Sequence, residues 1–348
     1  MKNIKKAVYR RNLEQVKALL CAGANANIKV GRRGSFGTDR LLHDTDSVEI
    51  AKELLRGGAN VNGRNSFNQT PLHAAIYRKK ILELVRELLK HGAYVNAIDP
   101  VNNTALKIAV LDNPKNLGVV KELLKYGADI NIGNRMLCGE IYNTSLDNAV
   151  EDLECAKLLI KFTLVRNFNN DYRKIIDLSP YKRCSNYRKL SSYLDACVRE
   201  ILQMKTDKIK DGLPLYNIVT NNFNIHVLFN NQLAAKLSKI DYSISYPIYH
   251  DIISEQVKAL LERTDLLKKL SEIQFYTKLD VADQDAKEKK IILDYDSTYN
   301  IAEYLSNDNL LNFIAAFDDS NKRTLEVEPN TRLYETSISD DTKRARLE

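Results

Sequence analysis

The stretch TPLHAAIYRKKILELVRELLKHGAYVN, residues 70–96, decides the fold of the first half of this chain. Thr70 can cap a helix with its side-chain oxygen, and Pro71 fits the first helical position, where an N–H has no partner to lose. Leu72, Ala75 and Ile76 then share one face at i, i+3, i+4. A second helix carries Val85, Leu88 and Leu89 at the same spacing, and Gly92 can take the left-handed conformation that ends it. Small Ala74 and Ala75 allow the two helices a close approach. A helix pair of this size buries too little surface to fold alone, so the unit predicts copies of itself.

The copies are present. VKALLCAGANAN (16–27), AKELLRGGANVN (51–62), VRELLKHGAYVN (85–96) and VKELLKYGADIN (120–131) place glycines at Gly23, Gly58, Gly92 and Gly127, a period of 34 to 35 residues. A period near 33 with a TPLH start resembles the ankyrin repeat. The fourth copy opens on Thr104-Ala105-Leu106, without the Pro and the His. In the second, Leu42-His43 lies 16 residues before Gly58, against 20 from Leu72 to Gly92, which predicts a shortened first helix. A fifth copy, TSLDNAVEDLECAKLLIKF (144–162), lacks the closing Gly-Ala. The resemblance implies a curved stack of about five repeats over 1–161, the second and fifth degenerate, with finger loops and first helices lining the concave side.

The basic, aromatic segment 166–189 is broken by Pro180 and reads as a junction, with 162–189 separating two domains. Beyond it, SYLDACVREILQMKTDKI places Leu194, Cys197, Val198, Ile201 and Leu202 at helical spacing. QVKALLERTDLLKKL continues in the same manner. Strand signals are absent throughout, so the expected fold class is all-α. After the charged break VADQDAKEKK, the stretch IILDYDSTYNIAEYLSNDNLLNFIAAF (291–317) reads as two short helices with a tight turn. The polar residues 318–348 read as a disordered tail.

In 291–317, Leu293, Ile301, Tyr304-Leu305-Ser306 and Leu310 resemble the F-box pattern. More specifically, they resemble the shortened F-box that ends PRANC domains, which follow ankyrin repeats in poxvirus, parasitoid-wasp and intracellular-bacterial proteins. CVREILQMKTDKI, LPLYNIVT and YPIYHDII echo PRANC phrases in the right order, extending the likeness over 190–317. Asp294 stands where that family has Pro, and Asn309 where it usually has Asp.

The resemblance implies an adaptor that brings a target protein to a Skp–cullin ubiquitin ligase. The Skp adaptor would face Leu293, Ile301, Leu305, Leu310, Leu311 and Ile314. The target would meet Arg32, Arg33, Phe36, Tyr94, Ile98, Met136 and Leu137 on the finger loops. A Rel-type transcription factor or another defence-signalling protein is the expected kind of target, in the cytoplasm or nucleus of a host cell. The alternative is a stoichiometric ankyrin inhibitor that masks such a factor without ubiquitination.

Other classes find less support. The 52 Lys and Arg exceed the 45 Asp and Glu by only seven charges over 348 residues, too mild a surplus to imply nucleic acid. Lys343-Arg344-Ala345-Arg346 resembles a short nuclear-import signal. No run is apolar enough for a signal peptide or a membrane span. The five cysteines have no C-x-x-C spacing and read as reduced thiols. His73 fits a structural bond near Thr70, His91 suits a helix end, and His226 and His250 stand alone. GRRGSFG lacks the Lys-Ser/Thr of a phosphate loop. No catalytic set, metal site or cofactor is expected.

Overall fold

The computed structural model describes residues 2–31, 38–78, 82–112, 117–135, 141–142, 144–168, 175–209, 212–221, 232–272, 274–277, 289–292, 305 and 307–316. It divides into two compact units, Met1–Met204 and Lys205–Glu348.

The first unit is a two-layer stack of helix pairs. The pairs are α1 (Lys2–Tyr9) with α2 (Leu13–Cys21), α3 (Leu41–Asp44) with α4 (Val48–Arg56), and α5 (Pro71–Tyr77) with α6 (Leu82–Lys90). Two more follow: α7 (Ala105–Asp112) with α8 (Leu117–Lys125), and α9 (Ser145–Ala149) with α10 (Leu153–Asn167). First helices α3, α5, α7 and α9 pack on one another in sequence. Second helices α2, α4, α6, α8 and α10 form the other layer. Leu72, Leu84, Val85, Leu88, Leu106, Val120, Leu123, Leu159 and Ile160 are buried between them.

The caps follow from the sequence. Thr70 and His73 form a reciprocal capping box at α5, with Pro71 just inside it. Thr144 and Asp147 build the same device at α9. Gly92 ends α6 at φ +81°, and its equivalents in the other three phrases share that left-handed backbone, which a side chain would strain.

What joins the pairs is the last asparagine of each phrase. Asn27 Nδ2 donates to the Gly58 carbonyl at 2.8 Å, and its Oδ1 accepts from Asn60 N–H at 2.7 Å. Asn62 makes the same two bonds to Gly92 and Tyr94 at 3.0 and 2.7 Å. Asn96 makes them to Gly127 and Asp129 at 3.1 and 2.8 Å. One carboxamide thus satisfies a donor and an acceptor on the next copy at once. Asn131 extends the series to the Ile175 carbonyl at 3.4 Å.

Several expectations need correction. Short antiparallel pairs do occur: β1 (Lys29–Gly31) with β2 (Thr38–Arg40), β3 (Asn134–Arg135) with β4 (Ile141–Tyr142), and β5 (Gln274–Thr277) with β6 (Lys289–Ile292). At two to four residues each they are too brief to carry an alternating pattern, and the fold remains an all-α solenoid in character. The boundary at 161 falls inside α10, whose residues Leu159 to Val165 are all buried. The segment 175–189 is folded rather than a linker. Ile176 and Leu178 are buried, and Tyr181 donates to Asp147 at 2.5 Å. Asn186 Nδ2 donates to the carbonyls of Val150 and Glu151. The helix α11 (Tyr187–Thr206) then buries Leu190, Leu194, Cys197, Val198, Ile201 and Met204. Leu202, expected on that stripe, is half exposed.

In the second unit, α12 (Leu215–Val219), α13 (Gln232–Leu237) and α15 (Asn307–Ala316) each pack on the long helix α14 (His250–Glu272). Tyr242, Tyr246 and Tyr249 are buried, with Tyr242 donating to the Leu237 carbonyl and Tyr246 to Asp207. Asn307 joins α15 to α14, accepting from Arg263 at 2.9 Å and donating to the Ala259 carbonyl at 3.2 Å. Ile291 and Ile292 are strand, pairing with Phe275 and Gln274, while the first of the two helices expected in 291–317, on Ile301 and Tyr304, lies outside the described residues. The tail expected over 318–348 lies outside the described residues.

If the asparagine bridges hold the stack, Asn96→Ala should cost about 1–3 kcal/mol, two net hydrogen bonds' worth. Urea unfolding should show the midpoint falling with the slope unchanged.

Candidate protein-binding surface

Two finger tips among the described residues are each closed by one carboxyl or carboxamide side chain. Asn65 Oδ1 accepts from the N–H groups of Phe67 and Gln69 at 3.0 and 2.9 Å. Asp99 Oδ1 accepts from Val101 and Asn103 at 3.0 and 2.9 Å. Backbone bonds Asn65 N–H to Gln69 O and Asp99 N–H to Asn103 O, both 3.0 Å, close the same loop from the other side. Asn68 and Asn102 take matching positive φ values of +54° and +58°, a conformation that asparagine tolerates better than most residues. The two tips are copies of one rigid turn.

Neighbouring fingers are fastened by arginines. Arg40 donates through Nη1 to the Asn27 carbonyl at 3.1 Å and through Nε to that of Arg64 at 3.4 Å. Arg64 Nη1 in turn donates to the carbonyls of Asn68 and Ile98 at 2.6 and 2.8 Å. The fastening leaves one apolar side chain standing out from each tip. Phe67 is 54% exposed and Val101 62%. Nothing in the turn requires an apolar residue there.

The ends of the first helices continue the surface. Tyr9 donates to Asp44 at 2.7 Å, and Arg78 pairs with Asp44 at 2.8 Å while donating to the His43 carbonyl at 2.6 Å. The first three copies are therefore cross-linked by polar groups along this edge. Towards the fourth copy the edge becomes apolar. Tyr77 donates to Asp99 at 2.8 Å, which fixes its part-exposed ring beside the finger carrying Val101. Leu111, at the equivalent place in the next copy, is half exposed.

Of the residues expected to meet a target, Tyr94 is 69% exposed and Ile98 41%. Tyr94 stands where the other phrases have Asn25, Asn60 and Asp129. Those three side chains accept from the N–H two residues on. A tyrosine cannot make that turn bond, so its presence has no local structural reason. Arg32, Arg33, Phe36, Met136 and Leu137 lie outside the described residues. Phe67, Tyr77, Val101 and Leu111 were not singled out by sequence reasoning. Their common 34-residue spacing was the available signal.

His73 and His43 have structural bonds. His73 accepts at Nδ1 from Thr70 N–H and, through Nε2, bonds the Asn103 carbonyl at 3.2 Å. Burial lowers its pKa and keeps it neutral. His43 makes the same link to the Gln69 carbonyl at 2.9 Å. In the next copy this position is Lys107, 1% exposed, with Nζ finding no hydrogen-bond partner among the described residues. Burial lowers its pKa, against the opposing pull of Asp99 and Asp147. No group of three or more acidic, Cys or His residues suited to a metal occurs among the described residues. No helix there is long and apolar enough to cross a membrane.

Compared with known families, residues 42–134 match the model for ankyrin repeats in three copies. These copies are ankyrin repeats. They make this part of the chain a protein–protein interaction module, and the ankyrin finger tips and first-helix ends are its exposed apolar surface. No curated protein matches the chain.

The F-box-like residues are dispersed between core and surface. Leu310 is fully buried on α15, Leu311 is half exposed on the same helix, and Leu305 and Ile314 are intermediate. Leu293 and Ile301 lie outside the described residues.

Lys107→Met should stabilise the ankyrin stack by about 1–3 kcal/mol at neutral pH, because it removes a buried amine with nothing to bond. A lysine whose folded pKa is depressed contributes its full stability above 10.5, its ordinary value, and loses it as pH falls towards the folded pKa. The advantage of Lys107→Met in urea unfolding should therefore shrink as pH rises towards 10.5.

Proposed function

We propose that the ankyrin fingers hold a protein target while the second unit delivers that target to a Skp–cullin ubiquitin ligase. The observation that carries the first half is the pair Phe67 and Val101. They are apolar and exposed on rigid tips that have no need of them. Tyr77 and Leu111 extend the same apolar strip on the first-helix ends, and Tyr94 adds a large exposed ring. Such amphipathic or apolar anchors on a fixed scaffold are the usual centre of a protein interface.

The ligase half rests on the resemblance of 291–317 to the shortened F-box. Burial narrows the docking face. Leu310 packs within its own unit, so the adaptor would meet Leu311, with Ile314 three residues on. The protein acts by proximity rather than by chemistry, raising the local concentration of the target at a ligase. A Rel-type transcription factor or a similar signalling protein in the cytoplasm or nucleus of a host cell is the target class we favour.

A second reading is favoured by Leu310 itself and by Asp294. With Leu310 fully buried and the family's proline replaced, the helix has less to offer an adaptor. The chain would then mask its target stoichiometrically, without ubiquitination.

Phe67→Glu with Val101→Glu should weaken target binding by roughly thirtyfold, about 2 kcal/mol, with unchanged stability. Leu311→Asp should abolish co-purification of the Skp adaptor while leaving target binding intact. Full adaptor recovery from the Leu311 variant would overturn the docking face, and absence of the adaptor from purifications of the parent chain, with a target retained but not degraded by the proteasome, would establish the masking reading instead.

A further inference from the structure

Asn62 is the only one of the four bridging asparagines that is followed by glycine; Asn27 and Asn131 precede isoleucine, and Asn96 precedes alanine. Asparagine before glycine is the sequence most prone to lose its amide. With no side chain on the following residue, its backbone nitrogen can reach the asparagine carbonyl carbon. Two separate packing demands place this pair here. The bridge needs a carboxamide at 62, donating to the Gly92 carbonyl and accepting from Tyr94 N–H. The next position is tight for a side chain, since a Cβ on Gly63 would meet Arg40 Cδ and the Asn60 carbonyl, each at 3.1 Å. Arg40 occupies that space because it fastens the fingers.

The folded stack also restrains the reaction. The attacking nitrogen, Gly63 N–H, donates to the Asn60 carbonyl at 3.0 Å. Both polar atoms of the Asn62 side chain are engaged, so the carboxamide is turned towards the next copy rather than towards Gly63. When the second and third copies part, both side-chain bonds are released, and only the turn's own Gly63 N–H to Asn60 bond, which does not cross the joint, is left to loosen.

We propose that Asn62-Gly63 is a latent deamidation site that converts transient opening of the stack into its permanent weakening. The Gly63 nitrogen loses its proton and bonds to Asn62 Cγ, and the Cγ–Nδ2 bond breaks with release of ammonia. Water then opens the cyclic imide at either carbonyl, leaving an aspartyl or an isoaspartyl residue, with no change in oxidation state. The aspartyl product keeps an acceptor for Tyr94 N–H but has no donor for the Gly92 carbonyl, and sets a carboxylate against that oxygen. The isoaspartyl product displaces the bridge altogether. Neither can restore the original contact, so the stack registers how often this joint has opened.

The test incubates the full chain in mildly alkaline buffer, with and without urea below its unfolding midpoint, and follows position 62 by peptide mass spectrometry. Asn62 should convert at least tenfold faster in urea than in buffer, and ahead of Asn27, Asn96 and Asn131 in both. Gly63→Ser tests the chemistry in fully unfolding urea, where packing no longer matters, and should slow conversion at 62 at least tenfold. Asn62→Asp should lower the thermal midpoint relative to the parent. Equal rates in buffer and urea would overturn the protection by the fold. A slower conversion at 62 than at the other three bridges, or an unchanged midpoint for Asn62→Asp, would overturn the proposal as a whole.

Discussion

One side chain, repeated four times, sets the geometry of the first unit. Each phrase ends in an asparagine, and in the first three its amide nitrogen and oxygen both bond the turn that closes the next copy. A carboxamide offers both a donor and an acceptor in one plane. Aspartate would lack the donor, and glutamine would hold the turn a methylene further away. The bridge fixes neighbouring copies in one register, so the two helix layers can bury their leucines and valines without slipping. In a stack where each copy touches only its neighbours, these joints decide how cooperatively the whole unfolds.

The joint also explains why the finger tips can be used for binding. Helix packing, the asparagine bridges and the arginine ties leave the tips with nothing structural to do beyond closing their own turns. Asn65 and Asp99 accomplish that closure through side-chain acceptors. Phe67 and Val101 are therefore free to differ without cost to the fold, and remain rigidly presented, which lowers the entropy lost when a partner is bound. The second unit treats its surface differently. There α15 attaches itself to α14 through Asn307, Leu310 is buried, and Leu311 remains half exposed.

The sequence reveals the repeat, its caps and its glycines because those depend on local backbone chemistry. Thr70, Pro71 and Gly92 are readable one at a time. The bridging asparagines are visible in the same four phrases, yet their function depends on a partner some thirty residues away. The short strand pairs leave no trace because two to four residues cannot alternate convincingly. The end of the stack was placed too early: its glycine is missing, while α10 continues for six residues past Lys161. Periodicity puts Leu310 and Leu311 on one broad stripe, but which of them the long helix covers is a tertiary fact. The same is true of Leu202 and Met204, where the buried residue is the methionine. Lys107 shows the reverse case. A departure from the TPLH pattern was visible, but its burial followed only from packing.

Hydrogen exchange at three backbone amides, those of Asn60, Tyr94 and Asp129, tests this account most directly. They sit in turns that would otherwise exchange readily, and each is held by the carboxamide of the preceding copy. The account predicts that they exchange together, and as slowly as the buried second-helix amides of Leu88 and Leu123, because releasing them requires parting the copies. Exchange at the rate of an ordinary exposed turn, while those helices stay protected, would contradict it.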